Sequence, residues 1–174
     1  MKKINKITLF LLIFLSFQTN LLSQVPYFVD FKYILNESNA GKSAQKFLQN
    51  KLDSGIKDLQ NKEKLIQEEE KKIIQQKKLI SAEDYKKKVT GLRKNVTSLQ
   101  KQRDTLLDSV SKQRAKARAE LLKNLNPIIK EYMKEKNIRM VLDKKGILLA
   151  DEKLNITKDI TDLLNKKLKS IQLK

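Results

Sequence analysis

Apolar residues recur every seven positions through the middle of this chain, and most residues between them are charged or carry amides. The first series consists of Leu52, Leu59, Ile66, Ile73 and Ile80. The second consists of Tyr85, Leu92, Leu99 and Leu106, followed four positions later in each repeat by Val89, Val96, Arg103 and Val110. A seven-residue repeat is typical of helices that pack along a narrow seam. The pattern therefore predicts two long helical segments.

The two series are mirror images about the segment Ser81–Asp84, where both end residues can cap a new helix. An antiparallel hairpin with its tip near residues 81–84 would place mirror-related residues in the same layers. These pairs are Ile80 with Tyr85, Ile73 with Leu92, Ile66 with Leu99, Leu59 with Leu106, Ile56 with Val110, and Glu63 with Arg103. A single continuous helix is the alternative, and it explains the repeats but not the mirror. Helices of about 40 residues would reach about 60 Å.

The first residues have the order of regions found in a secretory signal peptide. Three lysines, at positions 2, 3 and 6, precede the 11-residue apolar run Ile7–Phe17, and a more polar stretch follows. The run is shorter than the roughly 20 residues that a membrane span needs, although an uncleaved anchor remains an alternative. The cleavage site is weakly marked, and we place it after Ser23 or Gln24. We therefore expect a signal peptide over residues 1–23 and an exported, periplasmic product.

The pattern changes at both ends of the predicted hairpin. The apolar and aromatic run Val25–Leu35 predicts a strand. Residues 138–150 predict a β-hairpin with Gly146 in its turn. The segment Ile160–Leu168 predicts a short closing helix with Asp159 as its capping residue.

The predicted hairpin has too few apolar residues to bury a normal interior, so the strands at its base need partners. Oligomerisation through these strands is the simplest solution. Residues 24–38 and 126–174 would form a β-rich oligomerisation body, and residues 39–125 would form a projecting arm. Pro127 would bend or break the second helix where it enters the body. The residues predicted to build the oligomeric body are Phe28, Val29, Val141, Leu142, Ile147 and Leu148.

Composition narrows the possible chemistry. The chain has no cysteine and no histidine, which removes thiol and histidine-assisted nucleophiles and the usual zinc ligands. The formal net charge is +18, and about +15 remains once the three lysines of the signal segment are removed. Carboxylates on exposed helices lack the enclosed pocket that acid–base catalysis needs. We expect no catalytic residues, no metal site and no cofactor, and hence a protein that is not an enzyme.

Two end segments, together with the arm between them, resemble the Skp/OmpH family of periplasmic chaperones. FVDFKYILNESNAGKSAQKFL is similar to the opening strand of that family and the start of its first arm helix. IRMVLDKKGILLADEKLNITKDITDLLNKKL is similar to its closing segment. The resemblance implies a mainly α-helical homotrimer with a small β body and three coiled-coil arms around a cavity. It also implies ATP-independent holding of unfolded outer-membrane proteins.

Two groups of basic residues are candidate binding sites. The group just past the predicted tip, a candidate contact for acidic clients or anionic lipids, comprises Lys86, Lys87, Lys88, Arg93 and Lys94. The family has also been proposed to bind lipopolysaccharide through its second arm, and the residues in the comparable stretch are Lys112, Arg114, Lys116 and Arg118. In both groups a solvated helix surface is the alternative. The stretch Ala40–Ser43 has the letters that end a phosphate-binding loop, but the required first glycine is Asn36, so the start of a helix is predicted instead.

Two other functions compete with the chaperone hypothesis. A strong positive charge is also typical of nucleic-acid-binding proteins. Export and the lack of an aromatic stacking platform argue against that function, so no nucleic-acid partner is expected. A structural coiled coil that bridges layers of the cell envelope is the other alternative, although the chain has no cysteine for a lipid anchor and no second span. Client-holding activity would separate the chaperone from this spacer.

Overall fold

The computed structural model describes residues 25–173 and consists of two long antiparallel helices that project from a small mixed body. Strand β1 spans Tyr27–Val29, helix α1 Phe31–Glu37 and helix α2 Asn39–Gln76. Helix α3 spans Ala82–Glu135, strand β2 Val141–Asp143 and helix α4 Thr157–Lys167. Short 3₁₀ turns occupy Lys144–Gly146 and Glu152–Leu154. The predicted signal peptide lies outside the described residues.

The predicted hairpin is confirmed, with its tip between the end of α2 and the start of α3. Ser81 caps α3 as expected, because its Oγ accepts a hydrogen bond from the backbone N–H of Asp84 at 3.1 Å. The mirror register is visible in polar contacts across the seam. Lys62 donates to Gln102, Asn95 donates to Glu69 at 3.1 Å, and Arg103 lies 3.8 Å from Glu63. The arm is therefore one chain folded back on itself.

The seam of the arm is thin. Within residues 50–115 its buried side chains are Leu59 and Ile73 from α2 and Val110 from α3, while most other seam residues are only half-buried. Gly55 permits a close approach, because an added Cβ there would lie 2.5 Å from a methyl group of Leu106. A seam of this kind holds the two helices in register without forming a broad core.

Cysteines at Ile73 and Leu92 are expected to form a disulfide within one chain. The polar contacts fix the register, and that register places the two positions in one layer, where a disulfide requires Cα atoms within about 7 Å. Cysteines at Ile73 and Leu106 are about two heptads apart along the arm and should remain reduced. Mass spectrometry of non-reduced proteolytic fragments distinguishes the pairs, and a crosslink only in the second pair would contradict the register.

The body is built around one apolar cluster contributed by every helix and by β1. Its side chains with no more than 3% exposure include Leu125 and Ile128 from α3, Ile160 and Leu164 from α4, and Ile34 from α1. The C-terminal part of α3, from Leu121 onward, belongs to this cluster, so the same helix forms both the arm and part of the body. Lys167 of α4 also pairs with Glu131 of α3 at 2.8 Å on the surface.

The predicted strand Val25–Leu35 is wrong beyond Val29, because the chain turns into helix α1 after Asp30. The carboxylate of Asp30 accepts a hydrogen bond from the backbone N–H of Tyr33 and caps that helix. The apolar side chains of Phe31, Ile34 and Leu35 then face the body core at helical spacing. The apolar run is compatible with a strand or with a buried helix. The cap formed by Asp30 favours the helix.

The predicted β-hairpin over residues 138–150 is also wrong. Strand β2 pairs with β1 in parallel, with Tyr27 opposite Val141 and Val29 opposite Asp143. The chain then makes a 3₁₀ turn, in which the Asp143 carboxylate accepts from the N–H of Lys145. This turn directs the following apolar segment away from β2 instead of back along it. On its other side, β1 forms a single parallel bridge between Phe28 and Asn155.

The closing helix is present but begins at Thr157, earlier than the predicted Ile160, and Asp159 is not its cap. Thr157 lies beside Asn155, whose side-chain oxygen accepts hydrogen bonds from the Thr157 backbone N–H and hydroxyl. Asp159 instead accepts a hydrogen bond from the hydroxyl of Tyr132 on α3. Burial and this bond raise the pKa of Tyr132 to about 12. The Asp159 carboxylate therefore links α3 to α4 and does not cap a helix.

Helix α3 continues through Pro127, so of the two predicted outcomes, a bend or a break, the break does not occur. Pro127 cannot donate to the carbonyl of Lys123, but both residues are exposed, so water can take the place of that bond. The helix ends at Glu135, and Asn137, two residues later, has a positive φ of 53°. The N–H of Ile138 bonds back to the carbonyl of Met133 at 2.8 Å, in the manner of a Schellman motif.

Helices α1 and α2 meet at Ser38, which is fully buried and whose Oγ accepts from the N–H of Gly41. A Cβ at Gly41 would lie 2.1 Å from the carbonyl oxygen of Leu35, so only glycine fits this junction. The stretch Ala40–Ser43 therefore forms the first turns of a helix, as predicted. Its lysine, Lys42, pairs with Glu37 at 2.9 Å, and this hydrogen bond raises the pKa of Lys42.

Gly41→Ala is expected to lower the free energy of unfolding by about 1–3 kcal/mol, because the added methyl group must displace backbone. Gly91→Ala is the matched control, since a Cβ at that helical position meets nothing within 4 Å. The control should raise stability by up to about 1 kcal/mol. Urea unfolding followed by circular dichroism measures both, and a Gly41→Ala protein as stable as the wild type would contradict the tight junction.

The C-terminal tail after α4 packs back onto the base of the arm. Leu173 is 8% exposed and contacts a cluster that includes Ala44, Leu48 and Ala117. Ile171 touches both this cluster and the body core. The tail thus joins the arm base to the body.

Candidate functional site: the arm and its basic surfaces

The basic group past the tip surrounds helix α3 and does not form a pocket. All five residues are exposed, and only Lys87 forms an ion pair within the described chain, with Glu83 at 2.9 Å. At 3.6 residues per turn, Lys86 and Arg93 share one face, Lys87 and Lys94 share another, and Lys88 lies on a third. The group can therefore attract anions from several directions but cannot enclose one.

The second basic group is divided by the helix into two pairs. Arg114 and Arg118 lie one turn apart on the side of α3 that borders a groove at the arm base. Lys112 and Lys116 lie one turn apart on a different face, where Lys112 pairs with Asp108 at 2.7 Å. The four residues therefore do not form a single site.

The groove beside the arginines has a volume of about 460 Å³ and lies between the end of α1 and the bases of α2 and α3. Small side chains, Gly41, Ala44 and Ala117, create the depression between larger neighbours. The remaining lining residues are Leu35, Asn36, Gln45, Leu48, Gln49, Leu52, Val110, Arg114, Arg118 and Leu121. This groove was not predicted from the sequence. Alanines on the seam opposite arginines at four-residue spacing were the signal that could have located it.

Isolated apolar side chains are exposed along the arm, and two of them, Ile56 and Val96, occupy positions of the predicted seam. They are separated by charged and amide residues, so they form no continuous apolar strip. The side chains exposed by 41–81% are Ile56, Leu65, Ile74, Leu79, Val96 and Leu107. Each offers a small apolar contact on a hydrophilic surface.

The predicted oligomerisation residues have different environments within one chain. Phe28 and Val29 are buried, and Val141 packs against the body core. Ile147 is half-buried and Leu142 is 40% exposed. Leu148 is 96% exposed, and its neighbour Leu149 is 90% exposed. The two adjacent leucines therefore form an exposed apolar pair on the surface of one chain.

No cluster of acidic residues suited to a metal ion occurs within residues 25–173. Over the same span, no helix is both long enough and apolar enough to cross a membrane.

Comparison with known proteins identifies the fold and the family of this chain. A family model described as outer membrane protein (OmpH-like) matches residues 27–164. No curated protein matches the sequence. A solved OmpH-like protein from Caulobacter crescentus CB15 superposes with a TM-score of 0.80 at 17% identity, covering 86% of this chain and 90% of that one. That likeness shows the shared fold of a helical hairpin on a small body. Because the family model covers well over half of its length, the chain belongs to the OmpH-like family.

Proposed function

We propose that the protein is an ATP-independent periplasmic holdase that binds unfolded outer-membrane proteins and keeps them soluble. Membership of the OmpH-like family supports this function, as does the description of the solved relative, which proposes an outer membrane chaperone. The observation that carries the proposal is the surface of the arm. It combines an excess of basic residues with scattered, exposed apolar side chains.

Such a surface suits the chemistry of these clients. Strands of outer-membrane barrels alternate apolar and polar residues, so an unfolded strand cannot fill a continuous apolar groove. Separate apolar contacts among charged residues allow many weak interactions, which hold a client while it remains mobile. The exposed basic group of Lys86, Lys87, Lys88, Arg93 and Lys94 would attract acidic clients over about a Debye length, roughly 8 Å at physiological salt. Anionic lipid or lipopolysaccharide is a further candidate for these surfaces.

The proposed working form is a homotrimer in which the bodies associate and the arms project around a shared space. The exposed apolar surface near Leu142, Leu148 and Leu149 supports association through the body. The number of three subunits is the one that the family resemblance implies. Export to the periplasm rests on the signal-peptide pattern of the first residues.

The test is a client aggregation assay without nucleotide. A urea-unfolded, acidic β-barrel protein is diluted into buffer, and light scattering should stay low at about one trimer per client. The rate of client capture should fall as the salt concentration rises, because screening by salt shortens the range of the electrostatic attraction. Equal scattering with and without the protein at low salt would refute the holdase and favour the envelope spacer.

Changing the five basic residues past the tip to glutamine should slow capture further and leave the oligomer intact. The control changes five exposed lysines of the body region to glutamine and removes the same charge elsewhere. These control positions are Lys130, Lys134, Lys136, Lys166 and Lys169. If both variants slow capture equally, net charge alone governs the rate and the arm surface has no special role.

A further inference from the structure

The groove at the arm base differs from the rest of the basic surface because it combines an apolar floor with unpaired positive charge. The half-buried side chains of Leu35 and Leu52 provide the accessible apolar floor, whereas the smaller side chains between them are already packed against the C-terminal tail. Arg114 and Arg118 lie at the rim and are both exposed. Within residues 25–173 neither guanidinium forms an ion pair or hydrogen bond, and no carboxylate lines the groove. The described residues of the groove therefore supply no negative partner of the kind that two adjacent arginines favour.

The spacing of the arginines matches an extended chain. Two residues one helical turn apart are separated by about 6 Å along the axis. Side chains at alternate positions of an extended strand are separated by about 6.7 Å on the same side. Acidic residues two positions apart in a strand can therefore meet both guanidinium groups, with each pair forming a charge-assisted hydrogen bond.

The length of the groove matches a short strand. Its lining on α2 runs from Gly41 to Leu52, about 16 Å along the helix. An extended segment of about five residues covers that distance. Its volume of about 460 Å³ lies in the range of ligand-binding clefts. Residues that alternate with the acidic ones would face the apolar floor.

We propose that this groove docks an extended segment in which apolar residues alternate with acidic residues. The inference rests on the proposed function, because such a segment would belong to an unfolded client. It adds to that function a defined docking position at the arm base and a preference for acidic over basic strands. The tip surface would capture clients by long-range attraction, and the groove would hold one strand by direct contact.

The test uses two fluorescent peptides, one of alternating valine and glutamate and one of alternating valine and lysine. Fluorescence anisotropy with the purified protein should show binding of the glutamate peptide only. The double variant R114Q/R118Q should weaken its affinity by about tenfold or more, since two charge-assisted contacts are lost. The matched control K112Q/K116Q removes the same charge from another face of the same helix turns and should change affinity by less than about twofold.

A charge reversal tests the specificity directly. R114E/R118E should lose the glutamate peptide and gain binding of the lysine peptide, with circular dichroism unchanged because both side chains are exposed. Equal losses in R114Q/R118Q and K112Q/K116Q would overturn the proposal, because net charge would then be the cause. Binding of the lysine peptide by the wild type would also overturn it.

Two other occupants would be detected in the same experiment. If vesicles containing lipopolysaccharide bind in an Arg114- and Arg118-dependent manner while the glutamate peptide does not bind, the groove takes lipid and the proposal fails. If R114Q/R118Q changes the mass measured by light scattering, the groove holds a second copy of this chain and the proposal also fails. A wild-type protein that suppresses client aggregation but ignores the glutamate peptide refutes only this inference. One that does not suppress aggregation refutes the proposed holdase itself.

Discussion

Leu125→Ala is expected to lower the free energy of unfolding by about 2–5 kcal/mol, a large part of the stability of an ordinary domain. Leu125 has no exposed surface and lies in the body cluster with Ile128, Ile160 and Leu164. Removing its side chain leaves a cavity where α1, α3 and α4 meet, and a small body cannot collapse to fill it. Urea unfolding followed by circular dichroism, at one fixed protein concentration, measures the loss.

The matched control for this variant is Leu79→Ala. Leu79 is 81% exposed at the tip of the arm, so its removal should change stability by no more than about 0.5 kcal/mol. Equal unfolding midpoints for the two variants would show that the cluster does not hold the body together.

Leu148→Asp is expected to convert the proposed trimer into folded monomers. The residue is 96% exposed within one chain, so a charge there costs the isolated subunit almost nothing. In a trimer that buries this leucine, each subunit would contribute an unpaired charge to the interface, at a cost of several kcal/mol each. Light scattering after gel filtration should fall from three subunit masses to one, with helical circular dichroism retained.

Two further variants separate assembly from folding. Val141→Asp should unfold the body, because Val141 packs against the core of its own chain. Leu79→Asp, at an exposed position on the tip, should leave the trimer intact. A wild-type protein that runs as a folded monomer at micromolar concentration would contradict the assembly, and so would a Leu148→Asp protein that remains trimeric.

The sequence by itself determined the arm. Seven-residue spacing fixes which faces of α2 and α3 meet, and the mirror about Ser81 fixes the register, as the contact between Glu63 and Arg103 confirms. These features depend on neighbours within one or two helical turns and on a local cap, so a linear pattern contains them. The family resemblance, carried by the two end segments, was confirmed for the same reason, because those segments are continuous in sequence.

Only the tertiary structure decided the architecture of the body and the location of the groove. The run from Phe31 to Leu35 is apolar enough for a strand or a helix, and its place against the α3–α4 core makes it a helix. Strands β1 and β2 are too short to specify a partner, so the fold that brings residues 27 and 141 together sets their parallel pairing. Arg114 and Arg118 differ from Lys112 and Lys116 only because α1 and α2 pack beside one face of α3. Each of these outcomes depends on contacts between residues far apart in the chain, which no local periodicity records.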